Sequence, residues 1–208
     1  MNSIDVISMG PGGLSLAAPL ALKRLEEAEA VYCADRFLPL VQEEKRRSFL
    51  PLGKALDEMA AEFAAGKKIA VLVSGDAGFY SLLELLKKRF GVEHLKVIPG
   101  ISSVSAFCAK LAASWQDAKI LSAHGRQLNT SALCHEVRTH AKTIILLDAE
   151  NEPNRVHELL EQGGLADVKL TVGENLSLLK LHLTSEDTVH LNLTDYLLKK
   201  WNTLHFLV

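Results

Sequence analysis

The sequence predicts an α/β protein built on a mainly parallel sheet, and three observations carry that prediction. Short apolar runs alternate with longer amphipathic ones along the whole 208 residues, the pattern of strands joined by helical crossovers. Three of the strand exits in the first half carry glycines: Gly10-Pro11-Gly12-Gly13, Ser74-Gly75-Asp76-Ala77-Gly78 and Pro99-Gly100-Ile101-Ser102-Ser103. An apolar content of 48% is ample for a packed core.

In chain order, Ile4 to Ser8 reads as the first strand and leads into the Gly10 loop. The next segment sets Leu22, Leu25 and Ala28 on one helical face, with Pro19 tolerated in the first turn, and runs into a strand at Val31-Tyr32-Cys33. Ala55 to Ala65 is rich in alanine, glutamate and leucine and stops at Gly66, as a helix with a glycine terminus does. Ile69 to Val73 is a buried strand. Phe79, Leu82, Leu83, Leu86 and Phe90 then keep the spacing of one helical stripe, with Lys87, Lys88 and Arg89 in the last turn where cations suit the dipole. Leu95 to Ile98 is a strand closed by Pro99-Gly100, and Val104, Phe107, Cys108 and Leu111 resume helical spacing.

The pattern pauses at Ala113 to Asp117 and restarts with Lys119 to Ser122, which places a domain boundary there: an N-terminal α/β domain over 1–114 and a C-terminal α/β domain over 117–208. Strands are expected near 118–122, 143–148, 168–172 and 203–208, and helices near 130–140, 153–162 and 194–201. Residues 179–193 alternate apolar and polar, so the second sheet is expected to be mixed, with antiparallel strands.

Composition excludes several classes of function. Lysine plus arginine total 23 against 25 acidic residues, a balance unsuited to a general nucleic-acid binder. No apolar stretch approaches the ~20 residues of a membrane span, and the start Met-Asn-Ser-Ile-Asp lacks a basic leader, so a cytoplasmic protein without membrane or nucleic-acid partners is expected. Cys33, Cys108 and Cys134 are widely spaced and odd in number, as reduced core-filling thiols are. The histidines at 94, 124, 135, 140, 157, 182, 190 and 205 form no ligand-spaced cluster, and no metal site is expected.

In a parallel sheet the strand carboxyl ends share one edge, where ligands bind. Any one of the glycine loops is explicable as a turn; three together indicate a pocket whose main chain approaches a ligand closely. The ligand is not a dinucleotide held by the usual fingerprint, because Ser15 stands where a third glycine belongs. Neither a P-loop nor a G-x-S-x-G nucleophile elbow is present.

The series GPGG after the first strand, VSGDAGF, VIPGISSVSAF, WQDAKILSAHGR and GEN resembles the tetrapyrrole methylase family over almost the whole chain. PGISS followed by WQDA and S-x-HGR is similar to the subgroup that methylates C-5 of precorrin-6Y or cobalt-precorrin-7 on the route to cobalamin. The resemblance implies two α/β domains with S-adenosylmethionine in a cleft between them, in a homodimer. It also implies that Pro11, Gly75, Asp76, Phe79, Ser102 and Ser103 contact the cofactor, joined by Asp148, Ala149 and Leu176 from the second domain. The loop Ser122 to Arg126 then faces the substrate, with His124 and Arg126 the candidates for gripping it; the competing reading of that pair is a structural clamp. Methyl transfer from a sulfonium depends mainly on positioning, so Asp76 is expected to accept hydrogen bonds from the cofactor and not to act as a base.

This chain departs from the family pattern twice. Ala77 stands where GDPG has proline, which removes a fixed φ angle, and Ser8 stands where the first loop usually begins with glycine. Relatives of the subgroup also occur fused to a C-15 methylating and decarboxylating domain; with no room for one after the last strand, a stand-alone enzyme with that activity on a separate protein is expected. Two other readings stay open: a family member with another target, such as uroporphyrinogen, diphthamide or ribosomal RNA, and a non-catalytic tetrapyrrole or cofactor carrier.

Overall fold

The computed structural model describes residues 3–12, 14–148, 150–173 and, for the main chain, 204–207. The chain folds as two compact units that divide at Ser103/Val104, where the sequence places the division between 114 and 117.

The first unit is a five-stranded sheet of β1 (Ile4–Ser8), β2 (Ala30–Cys33), β3 (Arg46–Ser48), β4 (Ile69–Val73) and β5 (Leu95–Ile98). Its order is β3-β2-β4-β1-β5, and every pairing is parallel. Three helices connect the strands: α1 (Pro19–Glu27), α2 (Leu52–Ala64) and α3 (Leu83–Phe90). The side-chain period of two sorts the strand residues onto two faces. Ile4, Val6, Tyr32, Val71 and Val73 pack with Ala55 and Met59 of α2 and Leu86 of α3. Ile7, Val31, Cys33, Ala70 and Leu72 pack with Ala21 and Leu25 of α1. The chain therefore leaves β1 over one face toward β2 and leaves β4 over the other toward β5. Opposite departures from neighbouring strands make a topological switch point between β1 and β4.

Local chemistry sets the helix ends. Pro19 is the first residue of α1, where a missing N–H costs nothing. The α2 terminus is a Schellman turn: Lys67 N–H reaches Glu62 O, Gly66 N–H reaches Phe63 O, and Gly66 takes φ +82°. Two helical expectations are corrected. The buried stripe of α1 runs through Ala21, Leu25 and Ala28, while Leu22 is left 37% exposed at its rim. The helix expected from Phe79 begins only at Leu83, because residues 76–79 form a hydrogen-bonded turn and Tyr80 has φ +49°.

The edge strand β3 and the 3-10 turns at Asp35–Leu40 and Glu43–Lys45 have no counterpart in the sequence reading. Arg46-Arg47-Ser48 carries no apolar period. A polar knot holds it instead: Glu62 accepts from Tyr32 Oη (2.8 Å), Arg47 Nη2 (2.9 Å) and Lys67 Nζ (2.8 Å), tying β2 and β3 to α2.

The second unit contains α4 (Ser103–Lys110), which begins at the division, then β6 (Lys119–Ser122), α5 (Thr130–Thr139), β7 (Lys142–Leu146), α6 (Pro153–Gln162), β8 (Leu170–Val172) and β9 (Leu204–Leu207). Its sheet has the order β6-β7-β9-β8, with all described pairings parallel. The antiparallel strands expected over 179–193 and the helix expected over 194–201 lie outside the described residues. Leu133, Cys134 and Val137 of α5 and Val156, Leu159 and Leu160 of α6 form one core with Ile145, Leu170 and Val172. Asn129 caps α5 by accepting from Ala132 N–H at 2.9 Å. Lys142 Nζ anchors the 113–117 segment through Ser114 O (2.5 Å) and Asp117 Oδ1 (2.8 Å). Among the described residues no helix is long and apolar enough to cross a membrane.

Candidate functional site

Strands β4, β1 and β5 are consecutive in the first sheet, so the loops that leave them share its carboxyl edge. Those are the three glycine loops, and they are bonded to one another. Gly10 N–H donates to Gly75 O (3.1 Å) and Gly75 N–H to Gly10 O (2.7 Å), a reciprocal bridge at the switch point. Both residues need left-handed φ, +72° and +62°, and a Cβ on Gly10 would stand 2.9 Å from Leu16 O.

Asp76 joins the second loop to the third. Its Oδ1 accepts from Gly78 N–H (2.8 Å), an Asx turn, and its Oδ2 accepts from Gly100 N–H (2.9 Å). Phe79 N–H closes the turn on Asp76 O at 3.0 Å, and the Phe79 ring meets Tyr80 edge-on at 5.0 Å. Ala77 is buried, and its N–H donates to Ser8 Oγ at 2.9 Å. Gly100 has no room for a side chain: a methyl there would lie 2.6 Å from Ser8 Cβ and 2.8 Å from Gly75 O. A Cβ on Gly75 would sit 3.7 Å from the main chain of Ser102 and from Ser103 N, so those half-buried serines flank the same bend. Thus Pro11, Gly75, Asp76, Phe79, Ser102 and Ser103 all lie on three braced loops of one edge.

The contacts that two of these residues make within the edge were not legible. Ser8 and Gly100 fill its centre, where the sequence marks Gly100 only as a loop glycine and Ser8 only as a departure from the family pattern, since a contact between positions 8, 77 and 100 has no local signature. The loops 9–12, 74–80 and 99–103 contain no lysine, arginine or histidine. They offer main-chain and hydroxyl groups and place no side-chain cation on the edge.

In the second unit, β6 and β7 are neighbours, and the loops that follow them are clamped together. Asp148 Oδ2 accepts from Gly125 N–H at 2.6 Å, while Oδ1 accepts from the main-chain N–H of Asn151 (2.8 Å) and its Nδ2 (2.8 Å). Asn151 Nδ2 also donates to Ala123 O (3.0 Å) and Arg126 O (3.1 Å). The Gly125 N–H first, with Asn151 next, holds the Asp148 carboxyl down to about 2. The clamp grips the main chain of the loop and leaves the side chains of His124 and Arg126 exposed. Asn151 was missed in sequence because nothing in its surroundings marks it. Ala149 and Leu176 lie outside the described residues.

A concavity of about 280 Å³ opens at the opposite, amino edge of the first sheet between Asp5, Arg24, Glu27, Lys68 and Lys96. Its charges are mixed, with Arg24 paired to Glu27 at 3.1 Å and to Asp5 at 3.9 Å. Among the described residues no group of histidine, cysteine and carboxylate side chains could hold a metal ion.

A parallel sheet with braced glycine loops at its switch point, followed by a second α/β unit whose described strands are parallel, defines a two-unit α/β protein. The sequence profile described as Tetrapyrrole (Corrin/Porphyrin) Methylases matches residues 4–187, and the chain belongs to that family. The cobalt-precorrin-7 C(5)-methyltransferase of Salmonella typhimurium is 32% identical over 84% of this chain and 86% of its own length. A probable cobalt-precorrin-7 C(5)-methyltransferase of Methanocaldococcus jannaschii is 33% identical over 84% of each chain. The precorrin-6Y C(5,15)-methyltransferase [decarboxylating] of a Sinorhizobium species is 30% identical over 83% of this chain, which spans 42% of that protein. Among solved structures, the fold is shared with a precorrin-6Y methylase from Archaeoglobus fulgidus (TM-score 0.58, 21% identity, 74% of this chain and 77% of that one). It is also shared with a cobalt precorrin-4 methyltransferase (TM-score 0.60, 22% identity, 81% and 77%).

Proposed function

We propose that this chain is an S-adenosylmethionine-dependent C-methyltransferase acting at C-5 of a corrin precursor, cobalt-precorrin-7 or precorrin-6Y, in cobalamin biosynthesis. The observation that carries the reading is the triple-loop edge: main-chain groups from three bends, locked by Asp76 and Ser8, with no cationic side chain among them. The relatives of which this chain covers 84 to 86% are named for C-5 alone, which supports that position and supports C-15 chemistry residing on a separate protein. A cytoplasmic homodimer is part of the same proposal.

The residues fit such a cofactor. Gly75 and Gly100 let the three loops pack against one another without side chains between them, and Ser102 and Ser103, whose main chain lies beside Gly75, bring hydroxyl side chains to the same bend. Pro11 and Phe79 offer apolar surface. When bound, S-adenosylmethionine supplies a methyl group that leaves as the C–S bond breaks and a neutral thioether departs. The chain then has to hold the ring carbon in line and exclude water, work for which ordered positioning provides up to about 7 to 11 kcal/mol. Both carboxylate oxygens of Asp76 already accept main-chain N–H groups. It holds the loops through its carboxylate, and the hydrogen bonds it is expected to accept from the cofactor fall to its main chain or to the remaining lone pairs. Arg126 anchors a substrate carboxylate, for which the guanidinium fork is suited, and His124 accepts the proton lost from the ring carbon.

Calorimetry with S-adenosylmethionine, followed by turnover with both corrin precursors, tests the reading. Methyl transfer to C-5 is expected; binding without transfer would favour a carrier, and no binding at all would end the proposal. Arg126→Ala should raise KM for the corrinoid about tenfold or more while leaving that for the methyl donor within about twofold. An equal rise in both would return Arg126 to a purely structural role.

A further inference from the structure

The last residue of β1 points its hydroxyl at the centre of the three loops. Ser8 is fully buried, and Oγ accepts the N–H of Ala77, itself 1% exposed. Ala77 occupies the second position of the turn that Phe79 N–H closes on Asp76 O. Gly78, the third position, has no positive φ, so the turn belongs to the common type with a φ near −60° at Ala77. Ala77 N–H is the turn amide that faces inward, away from Asp76, whose carboxylate takes Gly78 and Gly100. Ser8 Cβ also bounds the space at Gly100, where a methyl would collide with it at 2.6 Å. One side chain thus meets the second loop through a hydrogen bond and the third through van der Waals contact, at the root of the first.

We propose that Ser8 is the positioning residue of this edge: its hydroxyl satisfies the buried Ala77 N–H and so holds the Asp76–Phe79 turn, and Gly100 with it, in the arrangement that receives the cofactor. The effect on catalysis rests on the function proposed above; the effect on the loop does not. Two sequence features that look like independent losses, a serine for a glycine and an alanine for a proline, are two halves of one device. An N–H at position 77 requires an acceptor at position 8. A proline at 77 would remove that need, but its Cδ would be driven into Ser8 Oγ, since the ring carbon takes the place of the hydrogen.

The prediction is therefore reciprocal rescue. In the full chain, Ser8→Gly should expose the Ala77 amide to exchange and raise KM and Kd for S-adenosylmethionine about tenfold, with kcat and the corrinoid KM held within about twofold. Ala77→Pro alone should be worse than Ser8→Gly, through the Cδ clash. The double variant Ser8→Gly/Ala77→Pro should return to within about threefold of wild type. Ser8→Ala, which keeps the Cβ beside Gly100, serves if the glycine variant does not fold and should show the same loss. Amide exchange at Ala77, Gly78 and Gly100 in the cofactor-free protein decides the loop effect separately. If the wild type bound no S-adenosylmethionine, the proposed function would fail while the exchange comparison still judged Ser8. Unchanged protection of Ala77 in Ser8→Gly, or a double variant no better than Ser8→Gly, would overturn the inference.

Discussion

Single atoms decide most of what this edge can tolerate. Gly100 accepts no Cβ because Ser8 Cβ and Gly75 O occupy its place. Gly100→Ala should destabilise the protein by about 1 to 3 kcal/mol, visible as a lowered Tm, and should weaken cofactor binding in calorimetry. Asp148 shows the same economy. With its carboxyl held down to about 2 from an ordinary value of 3.8, its contribution is fully present above about pH 4 and is lost as pH falls toward 2. The Gly125 amide should therefore gain exchange freedom over that acid range, and Asp148→Asn should show the freed loop already at neutral pH. An amide signal that did not respond to the substitution would remove Asp148 from the clamp.

Elements in this chain were readable to the degree that their residues speak through apolar period. Helix α6 coincides with its expected span, and β1 and β4 do so as well, since Ile4 to Ser8 and Ile69 to Val73 are short apolar runs. Strand β3 was invisible because a main-chain ladder and the Glu62 knot hold it, and neither leaves a period in Arg46-Arg47-Ser48. The α3 start was misplaced because the stripe through Phe79 and Leu82 continues the helical spacing into residues bent by the Asp76 turn. The glycine loops themselves were plain in sequence; their mutual bracing was not, since a bond between positions 8 and 77 has no local signature.

The Glu62 knot gives an element-scale prediction. Burial pushes the Glu62 carboxyl up, yet the hydrogen bonds from Lys67, Arg47 and Tyr32 outweigh it and leave the group below its ordinary value. The stabilisation is present above the unfolded value and is lost as pH falls through the folded one. Glu62→Gln should cost about 2 kcal/mol at neutral pH in denaturant melts, and its deficit against wild type should shrink in acid. In the apolar layer, Leu86→Ala should cost about 2 to 5 kcal/mol, since Leu86 is fully buried between α3 and the sheet.

At the scale of the whole molecule, charge is spread thin. The net charge is −2 and the glycine loops hold no cation. Affinity for S-adenosylmethionine should change by less than about twofold between 50 and 500 mM salt, whereas the corrinoid KM should rise if Arg126 holds a carboxylate. A steep salt dependence of cofactor binding would place cations at the site that these loops do not contain.

Cys33, Cys108 and Cys134 are the chain's only thiols, and all three are buried, with burial pushing Cys33 up to about 11. A maleimide dye thus has no native target in the folded protein. Ile101→Cys, on a residue 39% exposed one position beyond Gly100, creates a single attachment point in an otherwise natural background, from which fluorescence can follow the third bend as nucleoside arrives.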